Sequence, residues 1–503
     1  MVGALLAQAF EKPSVDFHAL GPEIVLLATV AALVLADSVL LQDGRRYMPA
    51  IAGVGLIAAC LPVVTLAVDG ADRAMFGGAY VVDNTALILK ALFLLTGYVV
   101  VLLSTNELAE GDYWESEFYT MMLSSLLGML VMASARDLVT IFVALELLSI
   151  PAYLMATWNK REAKGNEAGL KYYLMGVFAS AIMLYGMSLV FGVTGTTLLT
   201  ELGEQLSAAD RSEPVVTLGI VFVIIGFGFK VSAVPFHTWA PDVYEGAPTP
   251  VTAFLAVASK TAGFVALIQL VFVGFLGRSD VVEPLMWVLA AASMTVGNLI
   301  AMRQTNVVRM LAYSGVAQAG FMLAPFAVIG NGNADLALEG VTTYLVIYAA
   351  MNLGAFAVVI AIARKTRSAE LSTYGGMFEY APGLTVAMTI ALASLAGIPP
   401  MGGWYAKFVI FRALLAPSSV AGTALAVVVA VNTVLAFYYY GLVLKQMWFN
   451  PPPFGDKSPV RVPPSLVAAL GLTSVATLAF GVFPSLVTHF TGISETISAA
   501  TGG

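Results

Sequence analysis

Apolar residues dominate this chain in long runs, and short polar stretches separate the runs. A helix that crosses a bilayer needs about 20 mostly apolar residues, and runs of that length recur from Pro22 almost to the C-terminus. The runs are apolar on all sides, whereas strands of a transmembrane β-barrel alternate in polarity over roughly ten residues. The pattern therefore predicts an all-α polytopic membrane protein.

About fourteen runs are long enough to span a bilayer. They lie at residues 22–41, 49–68, 81–104, 117–135, 138–157, 168–195, 214–234, 250–276, 282–302, 306–328, 339–363, 382–415, 421–448 and 463–487. Composition agrees with this pattern, since 59% of the 503 residues are hydrophobic and only 11% are charged. Such a chain is too apolar for a soluble domain, so we expect a lipid bilayer around it.

Prolines interrupt two of the predicted spans, near Pro235 in the seventh and at Pro399–Pro400 in the twelfth. A proline inside a helix removes a backbone hydrogen bond and clashes with the preceding turn, so both helices should break. Matched broken helices indicate two inverted repeats of five helices, with ion sites near the breaks. The predicted organisation is an N-terminal group of three helices, the two repeats and a last helix, at residues 1–116, 117–278, 279–449 and 450–503.

The basic residues of the short loops predict the orientation, because cytoplasmic loops carry the excess of Lys and Arg. One set of loops holds Arg45, Arg46, Lys160, Arg161, Lys164, Lys171, Arg303, Arg309, Arg364, Lys365, Arg367, Lys445, Lys457 and Arg461. The other set holds Lys12, Arg73, Arg136, Arg211, Arg278 and Arg412. The richer set is expected in the cytoplasm of a bacterial cell, which places both termini on the outer, periplasmic side of the plasma membrane.

Four lysines fall inside the predicted spans: Lys90, Lys230, Lys260 and Lys407. A cation at the bilayer centre costs roughly 3 kcal/mol on insertion scales, so each needs a partner or a function. Lys230 precedes the first break and Lys407 follows the second. Lys260 lies in the middle of the span after the first break. Lys90 is nearer the outer end of its span and close to Asp83, so a structural or snorkelling role is expected for it.

Glu146 is the intramembrane carboxylate of the fifth predicted span, and Lys230 is its expected partner. Burial favours a neutral lysine, whereas an opposite charge within about 4 to 6 Å favours the charged form. Movement of Glu146 relative to Lys230 would therefore switch whether Lys230 holds its proton near neutral pH. The alternative is a structural ion pair that locks two helices together.

Two further groups have competing interpretations. His237, two residues after Pro235, could pass a proton between Lys230 and Lys260, because histidine titrates near neutral pH. It could equally be a loop residue satisfied by Asp242 or by a backbone carbonyl. Lys171 and Glu167 begin the sixth span, where a surface ion pair is the simplest account.

The sequence also indicates which chemistry other chains must supply. Cys60 is the single cysteine, which excludes an intramolecular disulfide, a cysteine-ligated iron–sulfur cluster and a cysteine-based zinc site. Two of the three histidines lie near the termini, so a bis-histidine haem within the bundle is not expected, and no nucleotide-binding motif is present. Redox or ATP-driven work would belong to partner chains.

Three motifs resemble the subunit N family of bacterial NADH:quinone oxidoreductase, respiratory complex I, one of its three antiporter-like membrane subunits. They are "FVALELLSIPAYL", "KVSAVPFHTWAPDVYEGAPTPVTAFLAVASK" and "GIPPMGGWYAKF". The likeness covers nearly the whole chain, and "PDVYEGAPTPVT" is the element most specific to this family. Lys90 has no counterpart that we can place in the family pattern.

The resemblance implies a proton-translocating subunit of an enzyme complex, without a redox centre of its own. NADH, FMN, iron–sulfur clusters and quinone would be bound by partner subunits, and the direct partners would be other membrane subunits, with no nucleic acid. By motif position, Glu146 and Lys230 are the family's charge pair, His237 and Lys260 the relay, and Lys407 the lysine of the second half.

Two alternatives remain open from the residues. One is a self-standing or Mrp-type sodium/proton antiporter, for which a single intramembrane glutamate among lysines is a poor set of sodium ligands. The other is a passive scaffold that spaces other membrane subunits, although four buried lysines are expensive for that role.

Overall fold

The computed structural model describes residues 15–39, 46–70, 72–110, 115–208, 214–330 and 332–491, and most of these are helical. Lys12, Arg45 and Arg211, which enter the loop-charge argument, lie outside the described residues. We number the main helices in chain order as α1 (Gly21–Val39), α2 (Met48–Asp69), α3 (Asn84–Glu110), α4 (Glu115–Ser134), α5 (Leu138–Ala156), α6 (Ala163–Thr194), α7 (Leu199–Ala208), α8 (Pro214–Lys230), α9 (Trp239–Gly246), α10 (Thr249–Gly274), α11 (Ser279–Ala301), α12 (Val307–Leu323), α13 (Ala334–Thr366), α14 (Pro382–Ala396), α15 (Gly402–Leu415), α16 (Val420–Phe449), α17 (Pro464–Val482) and α18 (Ser485–Thr491).

Among the described residues, twelve helices are long enough and apolar enough to cross a membrane. Two shorter apolar helices, α8 and α14, lie where the seventh and twelfth spans were predicted. The helical membrane fold is therefore confirmed, whereas a count of about fourteen spans, the division into repeats and their inverted relation stay predictions.

Both predicted helix breaks are present. Helix α8 ends at Lys230, and the chain stays irregular until α9 begins at Trp239. Ser232, inside this break, has a positive φ of 61°. In the second half α14 ends at Ala396, Gly397 adopts a φ of 92°, and α15 begins at Gly402. Each break leaves carbonyl groups at a helix end without intrahelical partners.

Helices α10, α12 and α13 form the centre of the bundle, because nearly all their residues are buried by other parts of the chain. Helix α10 contains two π-helical turns, Leu255–Ser259 and Leu270–Gly274. Such turns often mark functional sites, and Lys260 follows the first one directly. Helices α1, α6, α16 and α17 expose more apolar surface, as lipid-facing or subunit-facing helices do.

Two of the helices that carry site residues begin at an N-cap residue whose side chain accepts backbone hydrogen bonds. Asp137 accepts hydrogen bonds from the backbone N–H groups of Val139 and Thr140 at the start of α5, each at 2.9 Å. Asn306 caps α12 in the same way. Asp and Asn at this position satisfy backbone donors that a helix leaves free.

Two local elements differ from the predicted all-helical pattern. Strands β1 (Arg73–Met75) and β2 (Tyr80–Val82) pair as an antiparallel hairpin, although the third span was predicted to begin at residue 81. Gly77 and Gly78 supply the positive φ values of the turn, 66° and 90°. Helix α7 is short and amphipathic. No span was predicted there, because its polar residues interrupt the apolar pattern.

Candidate functional site

Three buried lysines lie along the middle of the molecule. Lys230 is 3% exposed, Lys260 is 1% exposed and Lys407 is 4% exposed. They stand at the end of α8, inside α10 and inside α15. Within the described part of the chain none of the three forms an ion pair, and each instead donates hydrogen bonds to neutral oxygens. A proton on such a lysine is not fixed by a counter-ion.

Lys230 is held between α5 and α6. Its Nζ donates to the Ser149 hydroxyl at 2.9 Å and to the Tyr172 hydroxyl at 3.3 Å, and it lies 5.6 Å from the centre of the Tyr172 ring. Its aliphatic stem crosses α10 at Gly263, where an added Cβ would lie 3.1 Å from the Lys230 Cγ. Gly263 thus lets Lys230 approach the helix that carries Lys260.

Glu146 does not form the ion pair expected with Lys230. It lies on α5 one turn before Ser149, so Ser149 occupies the position next to the ammonium. The Glu146 side chain is half-buried, and its Oε1 is buried without a hydrogen-bond partner. The neighbouring residues Val143 and Ile150 are exposed, which places Glu146 at the edge of the outward face of α5. A buried carboxylate oxygen without a hydrogen-bond partner is unusual in a folded protein.

Lys260 donates from Nζ to the backbone carbonyl of Gly315 on α12, at 2.8 Å. A Cβ at Gly315 would lie 2.9 Å from that Nζ and 3.4 Å from the Tyr348 hydroxyl. The absence of a side chain at Gly315 therefore leaves the space that the Lys260 ammonium occupies against α12.

Polar side chains continue from Gly315 toward the second half. Ser314 and Tyr440 share a hydrogen bond between their hydroxyls at 2.5 Å. Gln318 donates to the Tyr440 hydroxyl at 3.3 Å and to the Leu395 carbonyl at 3.1 Å, while it accepts from the Tyr344 hydroxyl. These groups are buried, so they form a polar path inside an apolar bundle.

Lys407 ends this path at the second helix break. Its Nζ donates to the carbonyls of Leu395 and Ala396, at 3.1 Å and 2.7 Å, and it lies 4.8 Å from the Phe321 ring centre. These carbonyls are at the C-terminal end of α14 and accept because the helix stops there. Gln318 and Lys407 thus share the Leu395 carbonyl. We call the set Lys230, Lys260, Ser314, Gly315, Gln318, Tyr440 and Lys407 the central polar row.

His237 lies in the first break and is 9% exposed. Its Nδ1 is buried without a hydrogen-bond partner, and its ring lies 6.3 Å from that of Tyr313 on α12. Asp242, the alternative partner named from the sequence, instead pairs with Lys171 and Arg309. Asp242 therefore does not satisfy His237, because its two carboxylate oxygens pair with the two cations. A backbone carbonyl as the partner of His237 stays an alternative.

Five charged residues join α6, α9 and α12 at one end of the bundle, and we call them the ion-pair cluster: Lys164, Lys171, Asp242, Glu245 and Arg309. The pairs are Lys171–Asp242 at 2.7 Å, Arg309–Asp242 at 3.0 Å, Arg309–Glu245 at 2.7 Å and Lys164–Glu245 at 3.3 Å. The surface pair predicted between Lys171 and Glu167 is also present, at 2.7 Å.

The two carboxylates of the ion-pair cluster are held in their charged form. Partial burial acts to raise the pKa of Asp242, but hydrogen bonds from Lys171 and Arg309 outweigh burial and lower it. The pKa of Glu245 is lowered in the same way, against burial, by Arg309 and Lys164. The cluster therefore fixes α9, the continuation of the first broken helix, while both carboxylates are ionised.

Lys90 belongs to a separate buried group near the N-terminus. It is fully buried and pairs with Glu23 at 2.9 Å, and it donates to the Tyr80 hydroxyl at 2.9 Å. Asp83, expected near Lys90, forms its own ion pair with Arg136 at 2.5 Å. Lys90 does not snorkel to the surface; it is a structural ion-pair partner, in line with the other expectation for it.

Several members of the site were not singled out from the sequence. Ser149, Tyr172, Gly315, Gln318 and Tyr440 contact the lysines or link them, but hydroxyl, amide and glycine residues are common in membrane helices. Within the described residues, no group of three or more His, Cys, Asp or Glu side chains is placed to hold a metal ion.

The chain is similar to one protein family over most of its membrane core. Residues 135–435 match the family described as "NADH:quinone oxidoreductase/Mrp antiporter, TM". A protein named NADH-quinone oxidoreductase subunit N from Geobacillus kaustophilus is 40% identical over 488 residues, covering 94% of this chain and 95% of the relative. One of the same name from Trichlorobacter lovleyi is 36% identical over 491 residues, covering 96% and 98%.

Solved structures give the same result for the fold. A chain of respiratory complex I from Thermus thermophilus with bound aureothin superposes with a TM-score of 0.77 at 31% identity, covering 94% of this chain and 99% of that chain. A chain of the Mrp complex from Dietzia superposes with a TM-score of 0.83 at 21% identity, covering 96% and 99%. The second likeness concerns the fold alone.

Proposed function

This chain belongs to the subunit N family of NADH:quinone oxidoreductases, within the wider antiporter-like membrane family, and we propose that it carries protons across the bacterial membrane. The protons move through Lys230, Lys260 and Lys407, and Glu146 controls the protonation of Lys230. The energy comes from NADH oxidation and quinone reduction in partner subunits.

One observation carries this proposal: the three buried lysines are held by neutral oxygens and lie on a row of hydroxyl and amide groups. A structural lysine in a membrane protein gains most from a fixed carboxylate, as Lys90 does with Glu23. Lysines without such a partner can release and regain a proton without separating an ion pair. The difference between Lys90 and the other three supports a transport role for the latter.

The broken helices supply the second support. Irregular backbone at membrane depth is tolerated where it is covered by protein or lines a wet cavity. Both breaks place a lysine beside freed backbone groups, Lys230 at the end of α8 and Lys407 against the end of α14. His237 lies in the first break with its Nδ1 available, so it can exchange protons between the break and the lysines.

The redox chemistry belongs to partner subunits in this proposal. NADH, FMN, iron–sulfur clusters and quinone are bound there, and the neighbours in the bilayer are other antiporter-like and small membrane subunits. Both termini face the periplasm, and the ion-pair cluster faces the cytoplasm, following the loop charges. The half-buried Glu146 on the outward face of α5 is then placed to respond to a neighbouring subunit.

The test is purification from native membranes followed by mass spectrometry of the chains that co-migrate. We expect a large assembly that contains flavin and iron–sulfur proteins, with NADH-driven proton transport that does not require sodium. A lone chain, or one that migrates with Mrp partners and exchanges sodium, would support the antiporter alternative instead. An assembly whose proton transport is unaffected by loss of the three lysines would support the scaffold alternative.

A further inference from the structure

Four basic residues line a cavity of about 730 Å³ where α13 ends and the segment before α17 begins. They are Arg364, Lys365, Arg367 and Arg461, and Glu107 is the carboxylate of the same lining. A cavity of this size accommodates a phosphate-containing headgroup. We call it the basic cavity.

Not all of the basic residues of the basic cavity form ion pairs within the described part of the chain. Lys365 pairs with Asp456 at 3.1 Å and donates to the Ser458 carbonyl at 2.7 Å. Arg367 and Arg461 are exposed and, in the part of the chain that the structure describes, form no ion pair. Arginine favours phosphate because its planar guanidinium can donate two parallel hydrogen bonds.

An apolar groove of about 570 Å³ adjoins the basic cavity and runs between α14 and α17. Val460 lines both, and Lys365 and Tyr380 line a smaller cavity of about 230 Å³ that lies against the two. The groove is open to the outside of the bundle, since Val386, Val467 and Val475 are about half exposed. Its walls are mainly apolar.

The groove reaches most of the way through one lipid leaflet. Its lining on α17 extends from Val467 to Val475, which is roughly 12 Å at the helical rise per residue. Half the hydrocarbon thickness of a bilayer is roughly 15 Å. Both α14 and α17 begin beside the basic cavity, so the groove leads from the headgroup region into the bilayer.

We propose that the basic cavity and the apolar groove together bind one anionic phospholipid. The phosphate lies between Arg367 and Arg461, and one acyl chain lies in the groove between α14 and α17. A phosphatidylglycerol-type lipid fits this chemistry because its net negative charge complements the arginines, whereas phosphatidylcholine carries a cationic group that they repel. This site is separate from the central polar row and does not depend on the proposed function.

Photo-crosslinking in the intact complex tests the proposal. The complex is placed in phosphatidylcholine nanodiscs that contain either phosphatidylglycerol or phosphatidylcholine with a diazirine in one acyl chain, and the crosslinked peptides are identified by mass spectrometry. We expect the phosphatidylglycerol probe to label the α14 and α17 walls of the groove more strongly than the phosphatidylcholine probe.

Matched variants test the contacts of the headgroup and those of the acyl chain separately. Each basic residue near an anionic lipid contributes about fivefold in affinity, so Arg367→Gln with Arg461→Gln should shift half-maximal labelling to about thirtyfold more lipid. Gly471→Leu fills the groove without a backbone clash, since nothing lies within 4 Å of an added Cβ there, and it should reduce labelling. Arg303→Gln and Gly441→Leu are the controls, because Arg303 is an exposed arginine elsewhere and Gly441 is equally open.

Three results would overturn the proposal. Equal labelling by the two probes would show that the anionic headgroup does not contribute to binding. Equal effects of Arg303→Gln and the double arginine variant would show non-specific charge attraction. Absence of labelling by either probe would show that another subunit covers the groove.

Discussion

The ammonium of Lys230 donates a hydrogen bond to the hydroxyl of Ser149 at 2.9 Å, and this contact joins the end of α8 to the helix that carries Glu146. Glu146 and Ser149 are one turn apart on α5 and lie near the same face. Glu146 therefore influences Lys230 across a gap that Ser149 partly fills. In the proposed switch, a shift of α5 or of the Glu146 side chain would bring the carboxylate into a direct ion pair with Lys230.

We expect Glu146→Gln to leave the subunit assembled and to lower coupled quinone reduction strongly, because Lys230 loses the nearby negative charge that favours its protonated form. Glu146→Asp should keep part of the activity, since it keeps the charge. Ser149→Ala should be milder than Glu146→Gln, because Tyr172 still accepts from Lys230. The measurement is quinone reduction by membranes with matched subunit content. Native activity of the Glu146→Gln variant would contradict the proposed role of Glu146 as a switch.

Lys90 and Glu23 provide the contrasting case of a structural pair. Lys90→Met should destabilise the subunit by about 3 to 5 kcal/mol, because it leaves the buried Glu23 carboxylate without its partner. Glu23→Gln combined with Lys90→Met should recover much of that loss. Thermal unfolding of the purified complex measures the effect, and proton transport per assembled complex should stay native. A transport defect in the stable double variant would place Lys90 in the proton path.

The features that the sequence predicted correctly are those that depend on local composition. Long apolar runs specify the helices, Pro235 and Pro399–Pro400 mark the breaks, and lysines stand out in apolar surroundings. The fourteen predicted runs and the twelve full-length helices differ chiefly at the two broken helices, whose halves are short.

The features that the sequence did not predict depend on packing between distant segments. Lys230 and Ser149 are 81 residues apart, and Lys260 and Gly315 are 55 apart. Which of many serines, glycines or tyrosines meets a lysine follows from how helices pack, so no local pattern indicates it. The same reason explains why Glu23 was not predicted as the partner of Lys90, nor Arg136 as the partner of Asp83.

The ion-pair cluster gives a pH dependence with a defined sign. Asp242 and Glu245 have lowered pKa values in the folded protein, so their ion pairs stabilise it above the unfolded-state pKa values of about 4 and are lost as pH falls through the folded values. Asp242→Asn should cost about 1 kcal/mol, since the pairs are partly exposed. The difference in thermal unfolding from the native complex should be constant between pH 7.5 and pH 5.5, where both carboxyl groups are ionised, and should shrink below about pH 4. A difference that grows on acidification would contradict the assignment.

The orientation is testable by cysteine labelling in a Cys60→Ser background. Cysteines at Lys164 and Arg367 should react with an impermeant maleimide from the cytoplasmic side only, because the loop charges predict that the basic loops are cytoplasmic. Arg278 was the outer position suggested by the loop charges, but it is fully buried beside Asp280, so the exposed Glu204 on α7 is the better outer site. Labelling at Lys164 from the periplasmic side would reverse the orientation.

The central claim is that the buried lysines exchange protons, and Lys407 tests it best because it contacts the end of α14 through carbonyls alone among the described residues. Lys407→Met keeps the length and apolar packing of the side chain but removes the titrating group. Lys407→Arg keeps the charge, but arginine hardly ever releases its proton. A fixed-charge role and a proton-exchange role therefore predict opposite results for the arginine variant.

The decisive measurement is NADH-driven proton uptake into inverted membrane vesicles that carry native Lys407, Lys407→Met or Lys407→Arg. NADH oxidation with an artificial acceptor at the peripheral arm serves as the control for assembly. We expect native control activity in all three, with proton uptake strongly reduced in both variants and the arginine variant close to the methionine one. Native proton uptake with Lys407→Arg would contradict the account, since it would make Lys407 a fixed charge and end the relay at Lys260.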